Sequence, residues 1–414
     1  MPSSHPSWIC CQIGAREHYA IPRAIHRHQQ LASLITDAWV PARSPLHLIP
    51  HPALNSLKER FHPGLSGAAI DHHTGDSLRF ELSQRFHHTA PWPRIMARNA
   101  WFQRYARTQL KSLVARLQPS SASARPVLFT YSYAGLDLLR FAKEQGWYTV
   151  LGQIDPGTVE ADIVHQEHQR HPHLAPQHTA PPSDYWHQWH EECRLADQIM
   201  VNSAWSKQAL QTLGIPDSKL QVVPLAYDPP SPSQSFERSY PDRFTADRPL
   251  RVLFLGQVIL RKGIAAVIEA AKLLCDRPIE FWIVGSLGIT PPQDAPQNLY
   301  WMGAVPRSQV KKYYQDADLF LFPTLSDGFG LTQLEAQAWK LPIIASRFCG
   351  EVVKDQTNGL LLPEVSGVAI ADTLCFCLQH PEQLQHWANH TVDLTHFSLD
   401  QLYQRLQAFT LDLA

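Results

Sequence analysis

This chain has no excess of charge of either sign, no long apolar run and no paired-cysteine metal spacing. Its 36 Lys and Arg face 37 Asp and Glu, for a net charge of -1. No global field marks a nucleic-acid binder, and nucleic acid is not an expected partner. No stretch of ~18 or more apolar residues is present, so a membrane-spanning helix is not expected. The opening residues Met1 to Pro6 lack the charged and apolar regions of a signal peptide, which makes the cytoplasm the expected location. The seven cysteines are scattered. Neither Cys10-Cys11 nor Cys375-Phe376-Cys377 has C-x-x-C spacing, so buried thiols are expected rather than a zinc site. His165, His168, His171 and His173 cluster, as do His187 and His190. They lie beside Pro-rich sequence without an HExxH pattern, so a surface loop is expected there and no metal. Internal repeats and low-complexity tracts are absent apart from a short Pro/Ser stretch.

The 414 residues suit two domains. Strand-like and helix-like pieces alternate along the first half. Strands are expected over Trp8 to Ile13, Leu31 to Thr36, Val127 to Tyr131, Trp147 to Ile154, Gln198 to Val201 and Leu220 to Pro224. Helices are expected over Ala15 to Gln29 and Ala134 to Gln145. The segment from Pro229 to Pro249 reads as a linker. A second alternation follows: strands over Leu250 to Leu255, Ile279 to Val284, Leu319 to Phe322 and Pro342 to Ala345, and helices over Ile264 to Leu274, Gln309 to Gln315 and Leu331 to Trp339. The expected fold class is α/β, with two Rossmann-like domains facing a cleft, and ligands of such sheets bind at the carboxyl ends of the strands. The expected division is 1–228, a linker 229–249, 250–395, and a final helix within 396–414 that can return to the first domain.

The run from Leu319 to Ala336 is the most informative. A strand enters a loop, Asp327-Gly328-Phe329-Gly330, and a helix follows. Backbone N–H groups at such a helix start favour an anion. Glu335 falls on the apolar stripe of Leu331, Leu334 and Ala338, and a carboxylate there needs a partner. Ribose hydroxyls would serve. Upstream, Gly256 closes a strand and Arg261-Lys262-Gly263 opens a helix. Two cations at the positive end of a helix are misplaced by about 0.3–1 kcal/mol each, and a bound diphosphate would reverse the sign.

These residues resemble the nucleotide-sugar motif of the retaining glycosyltransferases of family 4, in which an acid, Gly-Phe-Gly and a later Glu follow in order. Asp327 stands where that family usually has Glu, and Gln257 where it often has Arg. The resemblance runs from about Gly14 to Glu364 and implies a GT-B fold. It implies that Lys262, with Arg261, meets the donor phosphates and that Asp327 touches the donor sugar. The Gly330, Leu331 and Thr332 amides would meet the phosphate, with Gly328 and Phe329 shaping the loop, and Glu335 would hold the ribose. Gly14 matches a glycine-bearing loop near the donor, with His18 beside it, and base contacts are expected near Gly303 to Val305. Asp155 stands where many members carry a His-Asp pair, here Ile154-Asp155. It either faces the cleft as a catalytic residue or shapes the Asp-Pro-Gly turn.

The implied activity is transfer of a hexosyl group from a UDP- or GDP-sugar, with retention and without metal or other cofactor, to a hydroxyl of a glycan or lipid-linked acceptor. A sugar-nucleotide epimerase on the same fold and a non-catalytic sugar-nucleotide-binding subunit are the alternatives. Asn202-Ser203 and Tyr227-Asp228 resemble the approach to the interdomain hinge. Arg94, Arg98, Arg104, Arg107, Lys111 and Arg116 interleave with Ile95, Trp101, Phe102, Tyr105, Leu110 and Val114. Such a helix either lies on anionic membrane lipid or packs on the core with a solvated basic face.

Overall fold

The computed structural model describes residues 6–44, 57, 59–86, 90–115, 125–175 and 178–410. Arg116 lies outside them. Two parallel sheets organise the chain. The first holds β1 (Trp8–Gln12), β2 (Leu31–Thr36), β3 (Ile70–His72), β4 (Val127–Tyr131), β5 (Tyr148–Gly152), β6 (Gln198–Val201) and β7 (Leu220–Val222) in the order β3-β2-β1-β4-β5-β6-β7. The second holds β8 (Leu250–Leu255), β9 (Ile279–Val284), β10 (Leu299–Gly303), β11 (Leu319–Phe322), β12 (Ile343–Ala345) and β13 (Gly359–Leu361) in the order β10-β9-β8-β11-β12-β13.

Both sheets reverse strand order at their first strand, β1 or β8. Crossovers leave to opposite sides there and open a crevice at the carboxyl ends. β1 shows why its sequence is apolar throughout. Trp8 and Cys10 pack into one core cluster, and Ile9 and Cys11 into another on the opposite face. A parallel strand covered on both sides needs apolar residues at every position. Cys10, Cys11 and Cys377 are accordingly buried, whereas Cys375 is half-buried and Cys275 is exposed, against the expectation of buried thiols.

The helix Pro91–Val114 lays Phe102, Ala106, Leu110 and Leu113 on the sheet. Full burial of each large side chain contributes about 1.5–3 kcal/mol. Arg104, Arg107 and Lys111 are exposed on its other face. Arg94 and Arg98 are ion-paired to Glu81. Among the described residues no helix is long and apolar enough to cross a membrane.

Segment 229–249 lies against the second sheet. Arg238 donates to the carbonyls of Ala317, Tyr314 and Trp339, and Arg248 forks onto the buried Asp318 at 2.7 and 2.6 Å. The last helix, Leu399–Ala408, packs on the helix Ala20–Arg27 and puts Leu402, Tyr403 and Leu406 into the first core.

Some local expectations differ. His165 and His168 lie on the helix Thr158–Arg170, and His187 and His190 on the helix Ser183–Leu195, rather than in a surface loop. The expected helix from Ala15 begins only at Ala20. Before it Glu17, His18 and Tyr19 take left-handed backbone, with φ of 51°, 51° and 59°.

Candidate functional site

A cavity of about 390 Å³ lies where the carboxyl ends of the two sheets meet. Gly256, Arg261, Lys262, Asp327, Phe329, Gly330, Leu331 and Thr332 line it from the second unit. Arg16, Glu17, Ile154 and Asn202 line it from the first.

Lys262 ends a short 3-10 turn after β8, and Gly263, at φ +80°, turns the chain into the helix Ile264–Leu273. A Cβ on Gly263 would stand 2.0 Å from the Pro323 carbonyl oxygen, so only glycine lets the turn seat against the β11 loop. The Lys262 ammonium is ion-paired to Asp327 and lies 5.0 Å from the centre of the Phe322 ring. Burial works against the charge on Asp327. Lys262, Arg261 and the Phe329 N–H outweigh it and hold the carboxyl below its usual range.

Arg261 turns the other way. Its guanidinium donates to the Ser326 carbonyl at 2.6 Å and reaches Glu160 at 3.4 Å. Glu160 sits in the first turn of the helix Thr158–Arg170, in the first unit, and also accepts from the Ser326 hydroxyl at 2.8 Å. Trp205 donates to that same hydroxyl at 3.2 Å. The side chains thus tie the two units together beside the cavity. Sequence reading missed Glu160. Its role depends on a residue 101 positions away, and the helix that carries it has no clear apolar period.

Glu160 gives a pH signature. Burial first, then Asp155 and Asp327, raise its pKa to about 7 against the pull of Arg261 and Ser326. The usual value is 4.5. Between those values the folded chain holds a proton that the unfolded chain has released, so this group makes stability fall as pH rises from about 4.5 to about 7. Glu160→Gln is expected to flatten that slope by about 1–3 kcal/mol. Thermal melts of both proteins at pH 5 and pH 7.5 check this, and parallel pH profiles would count against it.

Glu335 lies on the helix Thr332–Ala338 and accepts from the buried Tyr314 hydroxyl at 2.8 Å. The partner its position demanded is therefore, in part, a tyrosine. Burial raises its pKa, and Tyr314 and Arg307 moderate the rise.

Asp155 does not line the cavity. Its Oδ1 accepts from the Tyr133 hydroxyl at 2.5 Å, the Gln153 amide at 3.1 Å and the Gly157 N–H at 2.9 Å, which fixes the Asp-Pro-Gly turn. Gly14 also stands back. Its N–H donates to the buried Asp37 at 2.8 Å, and Asp37 is held in turn by Arg60 and Arg98. His18 pairs with Arg307 across the units at 2.9 Å, and burial together with that cation lowers its pKa to about 4.

Comparison with known proteins supports the second unit most directly. Residues 249–380 match the family model described as glycosyl transferases group 1. The amylovoran biosynthesis glycosyltransferase AmsK of Erwinia amylovora is 26% identical over 194 residues, 42% of this chain and 46% of that protein. The putative colanic acid biosynthesis glycosyltransferase WcaL of Escherichia coli is 26% identical over 210 residues, 46% of this chain and 50% of that one. The chain spans about half the length of the curated relatives it matches. Among solved structures, sucrose-phosphate synthase from Thermosynechococcus elongatus superposes with a TM-score of 0.66 at 16% identity, over 98% of this chain and 99% of that one. Anabaena HepE in complex with UDP gives 0.60 at 13% identity, over 98% and 100%. Residues 249–380 thus resemble the group 1 glycosyltransferases, and the two parallel sheets give the chain the GT-B fold of these solved structures.

Proposed function

We propose that this chain is a retaining hexosyltransferase. It takes a UDP- or GDP-sugar as donor and a hydroxyl of a glycan or lipid-linked carrier as acceptor. The observation that carries this reading is the Lys262–Asp327 pair on the cavity wall beside Gly330, Leu331 and Thr332. A half-buried cation held by one carboxylate, next to a glycine loop, suits a site that exchanges the carboxylate for a diphosphate. As the bond from the sugar to the diphosphate breaks, the leaving group gains charge. Lys262 would meet that charge, and Arg261 would join it on leaving Glu160, in a partly dehydrated cleft where fixed charges act more strongly than in water. Side-chain cations would do this work, so we expect transfer to persist in EDTA.

Glu335 would hold ribose hydroxyls on the carboxylate oxygen that Tyr314 does not use. Asp327 would accept from the donor sugar once Lys262 turns to phosphate. Arg104, Arg107 and Lys111 would face anionic lipid where the acceptor is lipid-linked.

Calorimetric titration with UDP and with GDP tests the donor site. One nucleotide should bind with micromolar affinity, and Glu335→Ala should weaken it about tenfold or more, as expected when hydrogen bonds to a charged group are lost. Binding of neither nucleotide would remove the donor site. Conversion of the sugar nucleotide to an epimer, with no nucleoside diphosphate released, would replace transfer with the epimerase reading.

A further inference from the structure

A second cavity, of about 240 Å³, lies at the carboxyl ends of β1 and β4. Gln12, Arg16, Ile95, Ser132, Tyr133 and Tyr185 bound it. It shares Arg16 and Ile154 with the first cavity, so the two abut.

Two polar side chains on its wall are buried and unspent. Gln12 is 1% exposed, and its amide nitrogen donates to the Gly14 carbonyl at 2.7 Å. Its Oε1 accepts from no described residue. Ser132 is 4% exposed, and its Oγ has no partner among the described residues. An unsatisfied buried group is costly, and native proteins rarely keep two in one wall without a use. An amide oxygen accepts, and a serine hydroxyl both donates and accepts. Together they suit neutral hydroxyls.

The remaining walls agree. Tyr133 stacks on Tyr185 with ring centres 4.8 Å apart and planes 11° apart, and Arg16 covers the Tyr131 ring. Covered by one another and by Arg16, these rings make a rigid wall that holds the cavity's shape, so the hydroxyl contacts of Gln12 and Ser132 carry its chemistry. A phosphate is less well served. Arg98, the other cation on the wall, is already taken up by Asp37 at 3.1 Å and Glu81 at 3.5 Å.

We propose that this cavity is the acceptor subsite and takes one uncharged pyranose ring, the terminal sugar of a glycan acceptor, whose hydroxyls are read by Gln12 and Ser132. The role as acceptor rests on the transferase reading above. The sugar specificity rests on the cavity alone.

Saturation-transfer NMR on the full chain tests it. The probes are methyl pyranosides of glucose, galactose and mannose, with sn-glycerol 3-phosphate in parallel, each with and without UDP or GDP. At least one pyranoside should bind the protein. Ser132→Ala should weaken it about threefold or more, as for one lost hydrogen bond, without lowering the melting temperature, because the oxygen removed has no protein partner. Ile95 is 39% exposed at the rim, so Ile95→Trp should block the cavity without disturbing the core. It should abolish pyranoside binding and leave nucleotide binding intact. No pyranoside binding to the parent protein would overturn the proposal, as would equal binding to Ile95→Trp. Displacement of the pyranoside by glycerol 3-phosphate would overturn it in favour of a phosphate-bearing head group. Failure of nucleotide binding with pyranoside binding as expected would sink the donor reading and leave the sugar site standing.

Discussion

Lys262→Ala is expected to cost both stability and nucleotide binding, and the two losses separate by a second substitution. The Lys262 and Asp327 side chains are each 16% exposed. Removing one partner of such a pair leaves a buried, uncompensated charge, at about 3–5 kcal/mol. Arg261, which also acts on Asp327, should hold the loss toward the lower end. Lys262→Met with Asp327→Asn removes both charges and should restore stability to within about 1 kcal/mol of the parent, because paired charges often do little better than an uncharged replacement. Nucleotide binding should stay weak in that double variant, and transfer should fall a hundredfold or more, on the order of losing one charge-stabilising donor. Asp327→Asn alone frees Lys262 from its competitor. It should tighten the nucleoside diphosphate about three- to tenfold while slowing transfer.

The pH dependence follows from the sign of the shift. The Asp327 carboxyl is held below its usual 3.8, so its stabilisation is present above that value and is lost as pH falls through the lower, folded one. The penalty of Lys262→Ala should therefore be full at pH 7 and shrink in acid. Denaturant titrations at pH 7 and pH 3.5 measure it. An equal penalty at both would mean that Lys262 acts through its packing on Phe322.

The legible part of this molecule was the part written locally. Leu250–Leu255, Ile279–Val284 and Leu319–Phe322 are apolar runs long enough to read as buried strands, and each was delimited correctly from sequence. The acid and glycine loop after β11 was equally plain, because its chemistry lies within a few residues. Three of the four edge strands escaped, β3, β10 and β13, whereas β7 was read. Ile70–His72 carries one apolar residue in three, and an edge strand need not be apolar on both faces. The left-handed turn at Glu17 to Tyr19 also left no sign, since no glycine or asparagine announces it. Backbone of that kind costs free energy and persists where the surroundings enforce it, and here it aims Glu17 at the cleft. Burial then raises the Glu17 pKa to about 7, against the Tyr131 hydroxyl and Arg16. Least legible were groups that meet only in the folded chain, across the two units or within the second. Glu160 against Arg261, His18 against Arg307 and Tyr314 beneath Glu335 are distant in sequence and have no fixed spacing.

Gly328→Ala is expected to separate the two units rather than to damage the nucleotide loop. A Cβ at Gly328 would stand 2.2 Å from the Ile154 carbonyl oxygen, which belongs to the first unit, whereas ordinary contact begins at 3.4 Å. Something must move by about an ångström. The loop itself is well anchored. Asp327 N–H donates to the Phe348 carbonyl at 2.9 Å, Gly350 N–H to the Phe329 carbonyl at 2.8 Å, and the Gln333 amide to that same carbonyl at 2.9 Å. The interdomain contacts nearest Gly328 include longer ones, Ser206 to the Gly328 carbonyl at 3.5 Å and Trp205 to the Ser326 hydroxyl at 3.2 Å, beside the shorter Ser326–Glu160 bond at 2.8 Å. The weaker set should yield, at about 1–3 kcal/mol. Nucleotide affinity, set by the second unit, should change less than threefold. Transfer should fall tenfold or more, because the acceptor side is held away from the donor. Small-angle scattering should show a larger radius of gyration. Gly330→Ala is the contrast. It adds a Cβ 2.5 Å from the Phe322 ring at a φ of +87°, entirely within the second unit. That strain falls on the loop, so nucleotide affinity should drop while the radius stays constant. If Gly328→Ala instead lost nucleotide affinity at an unchanged radius, the loop rather than the domain contact would be the softer element.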